Sequence, residues 1–311
     1  MRVVAALGGN AFVPPGAELT MESQFRFARE ALSCLEPFLV PEVELLVTHG
    51  NGPQVGHQLA RAERSRGAAY DLPLDVCVAQ TQGEMGYVLA RTLRELLAEG
   101  ERGRAVAALV TQVEVDPADA AFRRPTKPVG PYLDGAQAEA MRRRGVAVGE
   151  EAGRGPRRLV PSPDPTGVLE AEVVRQLLAL GVVVIAAGGG GVPVVRTAAG
   201  LAGVEAVVDK DLTAALLGEL IGAELLVILT DVPCAYTDYR TAGQAAVRRV
   251  GVARVRELLA EGHFEPGSME PKMEACARFA ERPGRRAVVC HPSALADALR
   301  GEAGTVVVPE A

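Results

Sequence analysis

Val182-Val183-Val184-Ile185-Ala186-Ala187-Gly188-Gly189-Gly190-Gly191 is the stretch that decides the fold class. Six apolar residues without polar alternation read as a short strand buried on both faces, the habit of a parallel sheet. Four consecutive glycines would be costly to order unless backbone has to approach something closely there. The same grammar recurs along the chain. Residues 3–7 lead into Gly8-Gly9-Asn10, residues 43–48 into His49-Gly50-Asn51-Gly52-Pro53, and residues 225–230 into Asp231. Strands that end in glycine put backbone N–H groups, unshielded by side chains, at the carboxyl edge of a sheet, where α/β proteins bind phosphate.

Further apolar runs at 105–110, 286–290 and 305–308 read as strands. Helical periodicity is predicted over 23–38, 74–97, 168–180, 212–221, 253–259 and 272–280. Apolar strands alternating with amphipathic helices imply an α/β fold with a mainly parallel sheet covered on both faces. Residues 115–165 break the pattern. They are rich in proline, and Pro125-Thr126-Lys127-Pro128-Val129-Gly130-Pro131 cannot be a helix or a central strand. This stretch is expected to be a small excursion from the main sheet.

A chain of 311 residues can bury a large core, either as one α/β domain or as a domain with a lid. The net charge of -6 supplies no overall positive field, so no nucleic-acid partner is expected. Arg142-Arg143-Arg144 and the basic residues within 154–158 read either as solvated surface or as an attraction for an anionic substrate. No apolar run is long enough to span a bilayer, and no export leader is visible, so a cytoplasmic protein without a membrane partner is expected. Five cysteines without a close pair and four scattered histidines argue against a disulfide framework and a protein-built metal centre.

Phosphoryl transfer needs positioning and positive charge more than covalent help. Asp209-Lys210-Asp211 offers a lysine held charged between two carboxylates, joining Val207-Val208 to an apolar helix. Lys272 follows Gly267-Ser268-Met269-Glu270-Pro271 at a helix start, a poor place for a cation unless an anion shares it. Lys127 stands isolated between prolines. Gly8, Gly9, Asn10, Gly50, Asn51 and Gly52 are substrate-side candidates, and His49 is either a hydrogen-bonding partner or a buried structural histidine. Gly189, Gly190, Asp231, Tyr236 and Met269 form the nucleotide-side set, although Tyr236 and Tyr239 could be core, and Met269, like Met273, also suits packing. The phosphate loop ending in Gly-Lys-Ser or Gly-Lys-Thr, the dinucleotide fingerprint after the first strand, and protein-kinase motifs are all missing.

These blocks, in this order, resemble the carbamate kinases of the amino-acid kinase superfamily. The resemblance runs through Ala6-Leu7-Gly8-Gly9-Asn10-Ala11, residues 48–56, Pro73-Leu74-Asp75, Thr81-Gln82-Gly83, Thr111-Gln112-Val113 and Asp116-Pro117-Ala118-Asp119. It continues through Pro125-Thr126-Lys127-Pro128, Gly203-Val204-Glu205-Ala206-Val207, Asp209-Lys210-Asp211 and residues 266–272. The resemblance implies a three-layer αβα sandwich spanning 1–311 as a single domain, with a protruding lid subdomain at 115–165, and a homodimer. It implies reversible exchange of ATP and carbamate for ADP and carbamoyl phosphate, used in catabolism to make ATP. Magnesium would be carried largely by the nucleotide phosphates, with no protein ligand assigned. Lys210 and Lys272 would bind the transferring phosphates, Asp209 and Asp211 would organise Lys210, and Lys127 would reach in from the lid. The alternatives are a related enzyme acting on a larger carboxylate or phosphate, and a nucleotide sensor, which should have lost one of these lysines. Cys290-His291-Pro292 is unusual against this pattern.

Overall fold

The computed structural model describes residues 1–8, 18, 20–151 and 155–310. Gly9 and Asn10 therefore lie outside the described residues, as does Arg154. Eight strands form the main sheet: β1 (Arg2–Leu7), β2 (Glu44–His49), β3 (Val106–Ala108), β4 (Val183–Ile185), β5 (Leu225–Leu229), β6 (Arg249–Gly251), β7 (Arg286–Cys290) and β8 (Thr305–Val308). Their spatial order is β6-β8-β7-β5-β1-β2-β4-β3. All pairs are parallel except β7 with β8.

Side chains alternate across each strand, so one apolar strand feeds two cores. Val4 and Ala6 of β1 join Leu226 and Ile228 on one face, and Val3, Ala5 and Leu7 join Leu45 and Val47 on the other. The first face is covered by α5 (Ala171–Ala179), α6 (Lys210–Leu220), α7 (Val252–Ala260) and α8 (Met269–Ala280), through Leu178, Leu217, Leu258 and Phe279. The second is covered by α1 (Met21–Ser33), α3 (Leu74–Glu99) and α9 (Leu295–Arg300), through Leu32, Leu89, Leu93 and Leu295. The result is the αβα sandwich expected. Burial of each Val or Leu in these layers stabilises by roughly 1.5–3 kcal/mol.

Register places the functional turns. Leu7 pairs with both His49 and Leu229, Leu229 pairs with Cys290, and Val47 pairs with Ile185. The segments that follow β1, β2, β4, β5 and β7 must therefore emerge at one edge of the sheet.

Outside the main sheet, Lys127–Val129 pairs at the edge of Gly155–Val160, which also pairs with Val148–Glu151. Helix α4 (Gly135–Arg143) accompanies them, so the proline-rich region is a small subdomain with its own sheet. It contacts the body through Val129 and Val160, which pack with Val55 and Leu59 of α2 (Gly52–Ser65) and with Leu74 and Val78 of α3. A four-stranded sheet orders Gly200–Gly203, Val192–Thr197, Gln112–Val115 and Pro165–Val168.

Two of the boundaries that differ from the sequence reading are set by proline. The helix expected over 23–38 stops at Ser33, because Pro37 cannot continue it and instead starts a single tight turn at Glu36–Phe38. The helix expected over 168–180 begins only at Ala171. Residues before it form a strand whose first residue, Pro165, lies at the sheet edge where a missing N–H is tolerated. Helices α4 and α9 and strand β6, all short, were not expected, whereas α2 begins where Pro53 suits a first helical position.

The turn after β4 carries the tightest backbone of the core. Gly190 has φ +93°, and a Cβ there would lie 2.2 Å from the Val208 carbonyl oxygen. Gly181, at φ +78°, has open space where its Cβ would be. Gly181→Ala should then cost about 1 kcal/mol of backbone strain. Gly190→Ala should cost about 3 kcal/mol or more, since backbone must also move. Urea unfolding of the two variants checks this, and equal costs would contradict it.

Candidate active site

Helix α6 opens at the carboxyl edge with Asp209 as its N-cap, whose Oδ1 accepts from the N–H of Asp211 at 2.9 Å and of Leu212 at 3.4 Å. The cap fixes the next two side chains. Lys210 donates to Oδ1 of Asp211, and Lys272, in the first turn of α8, donates to Oδ2 of the same carboxylate at 3.0 Å. Lys127, from the edge strand of the subdomain, donates to Oδ2 of Asp209 at 3.1 Å. Lysines some 60 and 80 residues apart in sequence thus meet on two aspartates, and three cations against two carboxylates leave one positive charge.

Burial is uneven across the cluster. Asp211 is 2% exposed and the side chain of Lys127 is 30% exposed. Burial raises the Asp209 pKa, but the charges of Lys127 and Lys210 outweigh it and hold the carboxyl well below its ordinary range. Burial lowers the Lys210 pKa despite the opposing pull of Asp211. For Lys272 burial acts downward too, yet the charge and hydrogen bond of Asp211 prevail and its pKa rises. Two lysines at helix starts also oppose the helix dipoles. The site is arranged to receive an anion.

Lys210 and Lys272 line a cavity of about 350 Å³, walled by Gly8, Thr230, Asp231, Gly267, Ser268 and His291. A narrower cleft shares Thr230, Asp231 and Ser268 with it and is lined by Val232, Tyr236, Tyr239 and Met269. The two tyrosine rings stack with centroids 5.8 Å apart. Asp231, Tyr236 and Met269 are thus brought together with the two lysines. Gly189 and Gly190 are not at this wall. They are buried, and a Cβ at Gly189 would meet Oδ1 of Asn51 at 2.1 Å while one at Gly190 would meet Val208. Gly188 likewise gives way to Nε2 of His49, 2.3 Å from where its Cβ would be. These glycines let β2's end and the start of α6 come together.

Asn51, buried at the start of α2, donates its amide to Oγ1 of Thr81 at 2.9 Å, and Gly52 begins that helix beside it. His49 is buried, with Nδ1 3.0 Å from the Gly50 carbonyl. A carbonyl can only accept, so Nδ1 carries the proton. Burial lowers the His49 pKa to about 4, against the Gly50 contact and with help from the Lys210 charge. Residues that the candidate set omitted hold the frame. Gln82 exchanges hydrogen bonds with the Thr111 backbone, Thr111 Oγ1 accepts from the Ala187 N–H, and Thr48 donates to the Ala187 carbonyl. The available signal was a polar residue, Gln82, at a core-facing position of an apolar helix.

The Amino acid kinase family matches residues 1–291. The chain is 42% identical over 311 residues to the carbamate kinase of Pyrococcus horikoshii, covering 99% of each chain. It is 42% identical over 316 residues to that of Trichomonas vaginalis, covering 99% of this chain and 100% of the other. The solved carbamate kinase of Giardia lamblia bound to AMP-PNP superposes with a TM-score of 0.92 at 34% identity, over 99% of this chain and 98% of that one. The chain belongs to the carbamate kinase family. In this carbamate kinase family member no helix among the described residues is long and apolar enough to cross a membrane. Nor, among the described residues, do three or more histidine, cysteine, aspartate or glutamate side chains gather to hold a metal.

Two outcomes are expected from the geometry. Asp211→Ala would leave two largely buried lysines without their shared carboxylate and should destabilise the fold by about 3–5 kcal/mol in denaturant titration. His49 titrates below the ordinary histidine value, so the unfolded chain takes up a proton first. The stability tied to its neutral form is therefore complete above about pH 6.5 and is lost as pH falls through about 4. Between those limits His49→Gln should flatten the decline of the unfolding free energy, read from urea titrations, by up to about 3 kcal/mol; an unchanged slope would contradict a buried neutral ring.

Proposed function

We propose that this chain transfers a phosphoryl group reversibly between ATP and carbamate, giving ADP and carbamoyl phosphate. The observation that carries the reading is the three-lysine, two-aspartate cluster between a nucleotide-sized cavity and the Gly50-Asn51-Gly52 turn. The carbamate kinase relatives and the AMP-PNP complex of the Giardia lamblia protein support it.

The nucleotide lies in the cavity, its base toward Tyr236, Tyr239 and Met269 and its phosphates toward Gly8, Lys210 and Lys272. Gly9 and Asn10 would extend the phosphate loop. Carbamate is held at Asn51 and the first backbone N–H groups of α2, where a helix start favours an anion. Lys210 and Lys272 stabilise charge as it spreads over the moving phosphoryl oxygens, and Asp211 holds both amines in place. Asp209 positions the start of α6. Lys127 arrives from the subdomain over residues 115–165, which acts as the lid. Transfer is direct and in line, without a phosphoenzyme; trapping a phosphorylated side chain on the reaction path would overturn this.

Magnesium would ride on the nucleotide phosphates and neutralise part of their charge. Asp209 and Asp211 are engaged by lysines, and Asp231 lines the same cavity. The working protein is a cytoplasmic homodimer that makes ATP from carbamoyl phosphate released by arginine catabolism or related routes. A larger acyl-phosphate substrate is the second reading, and the close Gly50-Asn51-Gly52 turn disfavours it.

The test is ATP formation from ADP, magnesium and carbamoyl phosphate, corrected for spontaneous breakdown. Lys210→Ala should lower kcat by a factor on the order of a hundred or more, with a much smaller change in nucleotide affinity. A folded, nucleotide-binding protein that makes no ATP would refute the assignment and direct attention to larger acyl phosphates.

A further inference from the structure

A second cavity, of about 520 Å³, shares no lining residue with the nucleotide-side cavity. One wall is the face of α2 that carries Gly52, Gly56, His57, Arg61 and Arg64. The other is Gly130-Pro131 with Arg157, from the subdomain. Three guanidiniums and an imidazole line it, and no carboxylate does. Arg61 donates to Gln58 at 3.0 Å, and among the described residues neither Arg61 nor Arg64 has a carboxylate partner. Arg157 is held by the Gly130 carbonyl at 3.0 Å and lies over the Tyr132 ring.

The location links this charge to the transfer centre. The cavity ends at Gly52, next to Asn51, and its far wall begins three residues after Lys127. The two walls touch closely, since a Cβ on Gly56 would lie 3.0 Å from the Gly130 Cα. An anion approaching a chain of net charge -6 is repelled on average, and only a local concentration of positive charge can reverse that.

We propose that this cavity is an anion-collecting vestibule, in which Arg61 and Arg64, with Arg157 opposite, draw in the doubly charged acyl phosphate and deliver it to the start of α2. The inference rests on the function proposed above. Nucleotide and acyl phosphate then enter from different sides, and only the second depends on the vestibule's charge.

The experiment compares the full-length protein with Arg61→Glu/Arg64→Glu and with Arg61→Gln/Arg64→Gln. In the ATP-forming direction at saturating magnesium-ADP, kcat/KM for carbamoyl phosphate should fall about tenfold or more in the glutamate variant and less in the glutamine variant. The loss should sit in KM, with KM for ADP held within about twofold. Added KCl should depress kcat/KM for carbamoyl phosphate in the wild type and do so less in the glutamine variant, because screening acts on the charge removed. Unchanged carbamoyl phosphate kinetics, or an equal loss for both substrates, would overturn the vestibule. Calorimetric titration of carbamoyl phosphate into the same three proteins reads binding without turnover. If the wild type makes no ATP, the proposed reaction fails; weaker binding in the glutamate variant still upholds the vestibule, and equal binding overturns it.

Discussion

Asp211 bridging Lys210 and Lys272 is the interaction on which the arrangement depends. Each lysine sits in the first turn of a helix, and each is largely buried, so both would be expelled toward solvent without a shared counter-charge. One carboxylate with both oxygens engaged resolves this by tying α6 to α8. The tie is short because Asp209 caps α6 and fixes the direction in which residues 210 and 211 leave the turn. Stability and positioning of charge are here the same feature.

That bridge can form only because the sheet delivers its parts to one edge. Parallel pairing of β1 with β2 and β5, and of β2 with β4, makes their exits coincide. The glycines after β4 then serve mainly by absence of side chain. Where Gly188, Gly189 and Gly190 stand, a Cβ would strike His49, Asn51 and the backbone of Val208. The turn is a spacer of minimum thickness between the end of β2 and the start of α6.

Much of this was legible in the sequence, and the gaps have physical causes. Unbroken runs such as Leu225–Leu229 read as doubly buried strands, and Asp209-Lys210-Asp211 stood out because it joins an apolar segment to an apolar helix rather than to a polar loop. Gly189 and Gly190 were assigned to the nucleotide because bare N–H groups suit phosphate. Sequence does not distinguish a glycine that admits a ligand from one that admits a neighbouring side chain, and these admit Asn51 and Val208. The short strand Lys127–Val129 escaped notice because prolines mask an edge strand, whose outer N–H groups need no partner. Gln82 and Thr111 went unassigned because their hydrogen bonds are to backbone atoms distant in sequence.

The cluster also divides into fixed and exchangeable charge. Around Asp211 water is excluded, and separating either lysine from it would strand a buried carboxylate. The Lys127–Asp209 pair is more open, with 30% and 20% of the side chains exposed. Asp209 holds the α6 backbone through its other oxygen, so Lys127 can change partner without uncapping the helix. The fixed pair belongs to the rigid sandwich and the exchangeable one joins it to the subdomain. A change of partner at Lys127 thus alters how the subdomain is held without loosening Lys210 and Lys272 from Asp211.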